Sequence, residues 1–236
     1  MEDDIQRNGM NSPIDEDILV IRAEEQIMGT NADYAEKVRR ILGERQIYCI
    51  NLISSPGSGK TTLLVETLNN ISKEISCAVI EGDQQTINDA RRISETGVPV
   101  VQVNTLQSCH LNANQILESL RKFPLENIQL MIIENVGNLV CPASMDLGEN
   151  EKIVLMSVTE GEDKPVKYPL AFNLANVLVI TKTDLLPYLR FDLESCKQYA
   201  RSVNEHIQII ETSSFSQTGI PEWITYLKKR VYDLGK

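Results

Sequence analysis

The 236-residue sequence has no run of basic residues, no long apolar stretch and only two histidines. Its formal net charge is -10, and its lysines and arginines are scattered. That excludes a chain that grips nucleic acid through a broad basic surface. No apolar segment is long enough to span a bilayer, so no membrane role is expected. The opening MEDDIQRNG is acidic and polar and does not read as a secretory signal. The five cysteines are Cys49, Cys77, Cys109, Cys141 and Cys196. An odd count does not make a disulfide framework, and the expectation is free thiols in a reducing cytoplasm. Cys49 and Cys77 lie in apolar strand-like runs and Cys196 in a helical pattern, so these three read as small buried hydrophobes.

What is present is an ordinary globular composition, 42% hydrophobic and 24% charged, over a length that suits one α/β domain with small additions. Residues 1–14 read as polar and flexible. Residues 15–44 carry helical spacing, at Ile18, Ile21 and Ala23 and again at Tyr34, Ala35, Val38, Ile41 and Leu42, with Asn31 or Asp33 as a cap. From residue 47 strands alternate with helices. Strands are expected at 47–53, 77–82, 98–103, 128–135, 152–158, 176–182 and 207–212, and helices starting near Lys60, Ile87, His110, Asp192 and Ile220. This pattern predicts a mostly parallel central sheet with helices on both faces, plus N-terminal helices. Ligands of such sheets bind at the carboxyl ends of the strands, and every motif below follows a strand end.

The segment SSPGSGKTT, residues 54–62, follows a strand and opens a helix, which is the Walker A arrangement of a P-loop NTPase. Gly57 and Gly59 allow a tight turn whose amides, with those of Ser58 and Thr62, face phosphate oxygens. Lys60 reaches the β- and γ-phosphates, and Thr61 is placed to ligate Mg²⁺. The departure is Ser54, where the general pattern has glycine. Asp83 in EGDQQT and Glu134 in ENVG are further candidates for Mg²⁺ or for ordering water. Asp83 also reads as a helix N-cap for a segment near Thr86. Gly137 is placed as the glycine whose N–H meets the γ-phosphate in switch GTPases.

Thr181-Lys182-Thr183-Asp184 resembles the Asn-Lys-x-Asp motif of GTPases. Asp184 accepts from the ring N–H and amine of guanine, whereas adenine would present it a lone pair. The Lys182 stem lies along the base. Thr181 replaces the asparagine, which leaves one supporting contact in question. ETSS at 211–214 is a weak match to the loop that backs the base. The domains expected are thus 1–45, a flexible segment with helices, and 46–236, a P-loop GTPase domain.

Cys109-His110 follows a strand and opens the next helical pattern, and Cys141 lies downstream of Glu134 and Gly137. Two thiols and one imidazole suit Ni²⁺ or Zn²⁺ and leave a fourth position for water or a second subunit. A helix N-terminus at Cys109 is expected to favour its thiolate. A thiol nucleophile is the other functional reading, although no third group is evident to orient the histidine. Because Cys141 shares a segment with Glu134 and Gly137, nucleotide state is expected to set metal affinity.

Taken together, INLISSPGSGKTTLL, VIEGDQQT, SCHLNA, IIENVGNLVCPASMDLGE, SVTEGEDKPVKYP and ITKTDLLPYL resemble the HypB family of hydrogenase nickel-incorporation proteins, over about residues 31–220. The resemblance implies a slow GTPase of the SIMIBI class that binds GTP and GDP with Mg²⁺. It implies a nickel metallochaperone that helps load the large-subunit precursor of [NiFe]-hydrogenase. It also implies a homodimer linked by nucleotide or metal, a HypA-type nickel accessory partner, and metal ligands at Cys109, His110 and Cys141. Three departures qualify it. There is no cysteine before Cys49 and no His-rich stretch, so a second N-terminal nickel site is not expected. Asn112 stands where the family often has aspartate, and Thr181 replaces the base-motif asparagine. The rivals are the urease accessory GTPase, which usually carries Cys-Pro-His where this chain has Cys141-Pro142-Ala143, and a cobalamin-enzyme GTPase chaperone. A P-loop small-molecule kinase or ligase and a pure binding module are the readings from other classes.

Overall fold

Runs rich in Val, Ile and Leu, each cut by a glycine- or polar-rich loop, form strands buried on both faces. The computed structural model describes residues 18–22 (backbone), 31–83, 87–106 and 108–235. Its strands are β1 (Ile18–Arg22), β2 (Tyr48–Ser54), β3 (Cys77–Asp83), β4 (Val100–Asn104), β5 (Leu130–Gly137), β6 (Glu151–Ser157), β7 (Val177–Thr181) and β8 (Gln208–Glu211). All pair in parallel, in the order β1-β4-β3-β5-β2-β6-β7-β8. The helices are α1 (Asn31–Glu44), α2 (Lys60–Ile71), α3 (Asn88–Ser94), α4 (Ala113–Leu120), α5 (Cys141–Ser144), α6 (Lys164–Lys167), α7 (Pro169–Asn173), α8 (Leu193–Val203) and α9 (Ile220–Leu234).

Alternation along each strand sends neighbours to opposite faces. Ile50, Leu52, Val79 and Ile132 pack under α2, α3 and α9, with Leu64, Ile93 and Trp223. Cys49, Ala78, Ile80 and Ile133 pack on the other face under α1 and α4, with Val38, Leu42 and Ile116. A third cluster joins Val154, Met156 and Ile180 to Phe172 of α7 and Cys196 of α8. Trp223 is fully buried, and its indole N–H donates to Thr67 Oγ1 at 2.8 Å, which ties α9 to α2, the helix behind the phosphate loop. Cys49, Cys77 and Cys196 are buried free thiols, as their apolar surroundings in the sequence imply.

Several expectations are corrected. Ile18 and Ile21 lie in strand β1, paired with β4, and not in a helix. A short β-branched run fits either period, and here an open sheet edge decides it. Helix α4 starts at Ala113, not His110, because Asn112 caps it: Asn112 Oδ1 accepts from Gln115 N at 3.0 Å, and Gln115 Oε1 accepts from Asn112 N at 2.9 Å. The residue before α3 is Ile87, so Asp83 is not a helix cap but the last residue of β3. Asn31 opens α1, and its side chain reaches outward, donating to Asp146 O at 2.7 Å and accepting from Ala113 N at 2.9 Å. The flexible reading of 1–14 lies outside the described residues.

Candidate phosphate, base and metal sites

The turn between β2 and α2 is left-handed at Gly59 (φ 91°), where a side chain would be strained, and a Cβ there would stand 3.7 Å from Lys182 Cε. The hollow it encloses, about 530 Å³, is lined by Ser54–Thr62, Glu81, Gly82, Asp83, Asp89, Arg92, Val136, Gly137 and Lys182. Gly137 lies against the loop so closely that a Cβ would meet Pro56 at 3.3 Å. Thus Gly57, Ser58, Gly59, Lys60, Thr61, Thr62, Asp83 and Gly137 converge on one hollow at the carboxyl end of the sheet.

Within it, Lys60 Nζ donates to Glu134 Oε1 at 2.7 Å, and Thr61 Oγ1 donates to the same oxygen at 2.6 Å. Glu134 is 1% exposed and lies inside β5 rather than at its end. The strand register sets Glu81 of β3 opposite Glu134. Glu81 is 2% exposed. Burial, then the nearby charges of Glu134 and Asp83, pushes its carboxyl up to about 9. One oxygen of each glutamate, Oε2, is buried without a hydrogen-bond partner. Those orphaned acceptors, with the Thr61 hydroxyl, are an oxygen donor set suited to a hard cation such as Mg²⁺. Glu81 is a residue the sequence reading missed, since a lone acid in CAVIEG carries no motif. Arg92 was also missed; it stands at the rim and donates to Thr62 Oγ1 at 3.1 Å.

The base motif adjoins this hollow. Lys182 is left-handed (φ 59°), and its ammonium donates to Gly57 O at 2.6 Å. Thr181 Oγ1 donates to Ser58 O at 2.5 Å, so threonine ties the base motif to the phosphate loop. Ser213 Oγ donates to Asp184 Oδ1 at 2.5 Å, which orients the carboxylate from the ETSS loop. The weak sequence match at 211–214 therefore marks a real contact.

The donor atoms of Cys109, His110 and Cys141 lie within 4.8 Å of one another, all half-buried, and form the one such cluster among the described residues. Cys109 Sγ is 3.6 Å from His110 Nδ1. Burial lowers the His110 pKa, which favours the neutral, ligating imidazole. Cys109 corrects an expectation: its pKa is raised, first by its hydrogen bond with Cys141, and no helix begins at it. His206 stays apart, exposed beside Glu205. The cluster is braced from β5. Asn135 Oδ1 accepts from Leu111 N at 3.1 Å, and Asn138 Nδ2 donates to Cys109 O at 3.4 Å. Beyond Cys141, Lys152 Nζ donates to Ala143 O at 2.6 Å and Met145 O at 3.0 Å, and Arg39 pairs with Asp146 at 2.8 Å.

A larger cavity, about 910 Å³, opens at the other end of the sheet. Its Glu151 is already held by Arg230 and Tyr226.

Comparison with known proteins agrees with this geometry. Residues 48–211 match the family described as CobW/HypB/UreG, nucleotide-binding domain. The hydrogenase maturation factor HypB of Escherichia coli K12 is 50% identical over 209 residues, 89% of this chain and 72% of that protein. HypB of Azotobacter vinelandii is 48% identical over 211 residues, 89% of this chain and 70% of that protein. A crystal structure of HypB from Helicobacter pylori in complex with nickel superposes with a TM-score of 0.83 at 35% identity, covering 87% of this chain and 96% of that one.

Proposed function

Because the chain belongs to the HypB family of hydrogenase maturation factors, we propose that it hydrolyses GTP to drive nickel delivery to the large-subunit precursor of [NiFe]-hydrogenase. Residues 46–236 form the GTPase domain in this reading, with α1 packed on it. Lys60 and the amides of residues 57–62 neutralise phosphate charge, while Thr61, Asp83 and Glu134 hold Mg²⁺ or its water. When bound, Mg²⁺ would supply neutralisation of phosphate charge, held by these residues. Asp184 selects guanine, oriented by Ser213. Cys109, His110 and Cys141 carry the cargo ion, Ni²⁺ or Zn²⁺, with a fourth position left for water or a second copy of the chain. The partners in this reading are a second copy, a HypA-type nickel accessory protein and the hydrogenase precursor, in the cytoplasm.

One observation carries the reading. A single segment, residues 134–141, begins at the carboxylate that grips Lys60 and Thr61 and ends at the Cys141 thiol of the metal cluster. Phosphates that draw Lys60 off Glu134 reset the segment on which Cys141 sits. Titration of the protein with Ni²⁺ in GDP and in a non-hydrolysable GTP analogue tests this. Affinity or release rate should differ between the two nucleotides. Equal values would remove the coupling, and absence of guanine-nucleotide binding would remove the GTPase reading itself.

A further inference from the structure

Glu81 adds an orphaned acceptor to the hollow, and its placement decides how that oxygen meets a cation. It projects from β3 on the same face as Val79, which is the α2 face, and Glu134 projects beside it from β5. It is 2% exposed and its Oε2 has no partner. A buried acceptor left unmade costs stability, so such a group is kept where a ligand or water satisfies it. The neighbours point the same way. Glu81 and Glu134 are buried side by side, and Lys60, the ammonium that reaches them, is already bonded to Glu134 Oε1. The carboxylates of Glu81, Asp83 and Glu134 do not converge as the thiol–imidazole cluster does. Mg²⁺ keeps several of its waters and is held by one or two carboxylates, so a further acid acts through a water.

We propose that Glu81 is a positioning residue for Mg²⁺: its free Oε2 accepts a hydrogen bond from a water of the cation's shell and fixes that shell relative to Thr61 and Glu134. The inference rests on the hollow being a Mg²⁺–nucleotide site. Asp83 and Glu134 meet the cation or its waters, and Glu81, level with Glu134 in the β3–β5 register, sets the shell from the side. A purely structural acid would have both oxygens bonded within the fold, and Oε2 of Glu81 has no protein partner.

The test uses the full chain with Mn²⁺ as probe. Mn²⁺ binding to the GDP complex is followed by electron paramagnetic resonance, and melting of the nucleotide-free, metal-free protein is measured beside it. Glu81→Met, close in volume, should weaken Mn²⁺ binding by about 10- to 100-fold, the usual cost of losing an outer-shell partner. It should also raise the melting temperature, because a buried unpartnered carboxylate is gone. Glu81→Gln keeps an acceptor oxygen and should hold Mn²⁺ within about threefold of the parent, well inside that outer-shell loss. Glu81→Ala supplies the cation measurement should the Met variant not fold. Unchanged Mn²⁺ affinity in the Met or Ala variant overturns the proposal. So does a lowered melting temperature in which Mn²⁺ affinity falls alike in Met and Gln. If the parent protein itself binds no GDP, it is the nucleotide reading that fails, and the two failures are thereby distinct.

Discussion

The phosphate hollow and the thiol–imidazole cluster sit at the same end of the sheet but are built differently. The hollow is walled by main chain fixed in left-handed turns and by carboxylates at 1–2% exposure. The cluster hangs on half-buried loops, held by side-chain bonds from Asn135 and Asn138. The first is a rigid backbone cradle. The second, a loop-mounted set of soft donors, can open. The join between the two is β5: Glu134 faces the P-loop helix, and Asn135, next in the chain, faces the loop that carries His110.

Breaking either side separately should show this division. Lys60→Ala should lower GTP turnover by at least about 100-fold, the scale of losing a key phosphate-charge donor, and abolish the nucleotide dependence of Ni²⁺ affinity while leaving the three metal ligands in place. Normal turnover would remove the phosphate assignment. Cys141→Ala should do the reverse. Losing a direct ligand should cost more than the roughly 10- to 100-fold of an outer-shell partner in Ni²⁺ affinity, with basal GTP turnover retained.

Finer changes sharpen the comparison at its join. Asn135→Ala strips Leu111 N and Val136 N of their shared acceptor. It should cost about 1–3 kcal/mol in unfolding free energy, and it should loosen Ni²⁺ binding without altering GDP affinity. Paired denaturation and titration experiments read both. Thr181→Val leaves Ser58 O without its donor. GDP binding should weaken by about tenfold, 1.4 kcal/mol, and Thr181→Ser should restore it. The smallest effect belongs to Arg39–Asp146, half-exposed at 45% and 50%. Burial pushes the Asp146 carboxyl up, but the Gly148 amide and Arg39 outweigh it and hold the pKa below the ordinary range. Such a depressed carboxylate stabilises the fold at pH above its unfolded value and loses that contribution as pH falls through the folded one. Asp146→Asn should therefore cost only about 0.2–1 kcal/mol at neutral pH, and the difference should fade on acidification.

The parts of the site that rest on local chain geometry were legible in the sequence. SSPGSGKTT and TKTD needed only a strand before them, and the strand pattern from residue 47 onward supplied it. What depended on pairing between strands was not. Glu81 looks like one polar residue in an apolar run, and only the β3–β5 register puts it beside Glu134. β1 could not be told from a helix because its partner, β4, lies far along the chain. The start of α4 was a different kind of miss. Asn112 and Gln115 spell a capping box, a local signal that places His110 in the preceding loop. Thr181 shows that a motif departure need not be a loss, since a hydroxyl reaches the phosphate loop.

The ammonium of Lys60 and the hydroxyl of Thr61 share a single oxygen of Glu134. Under the proposed reading an incoming phosphate would displace that internal counter-ion, and the Glu134 charge would stay buried and unpaired until a divalent ion met it. Tail and cation are consequently welcome together and each poorly alone, so the occupancy of this protein should follow the magnesium–nucleotide complex rather than the concentration of either component.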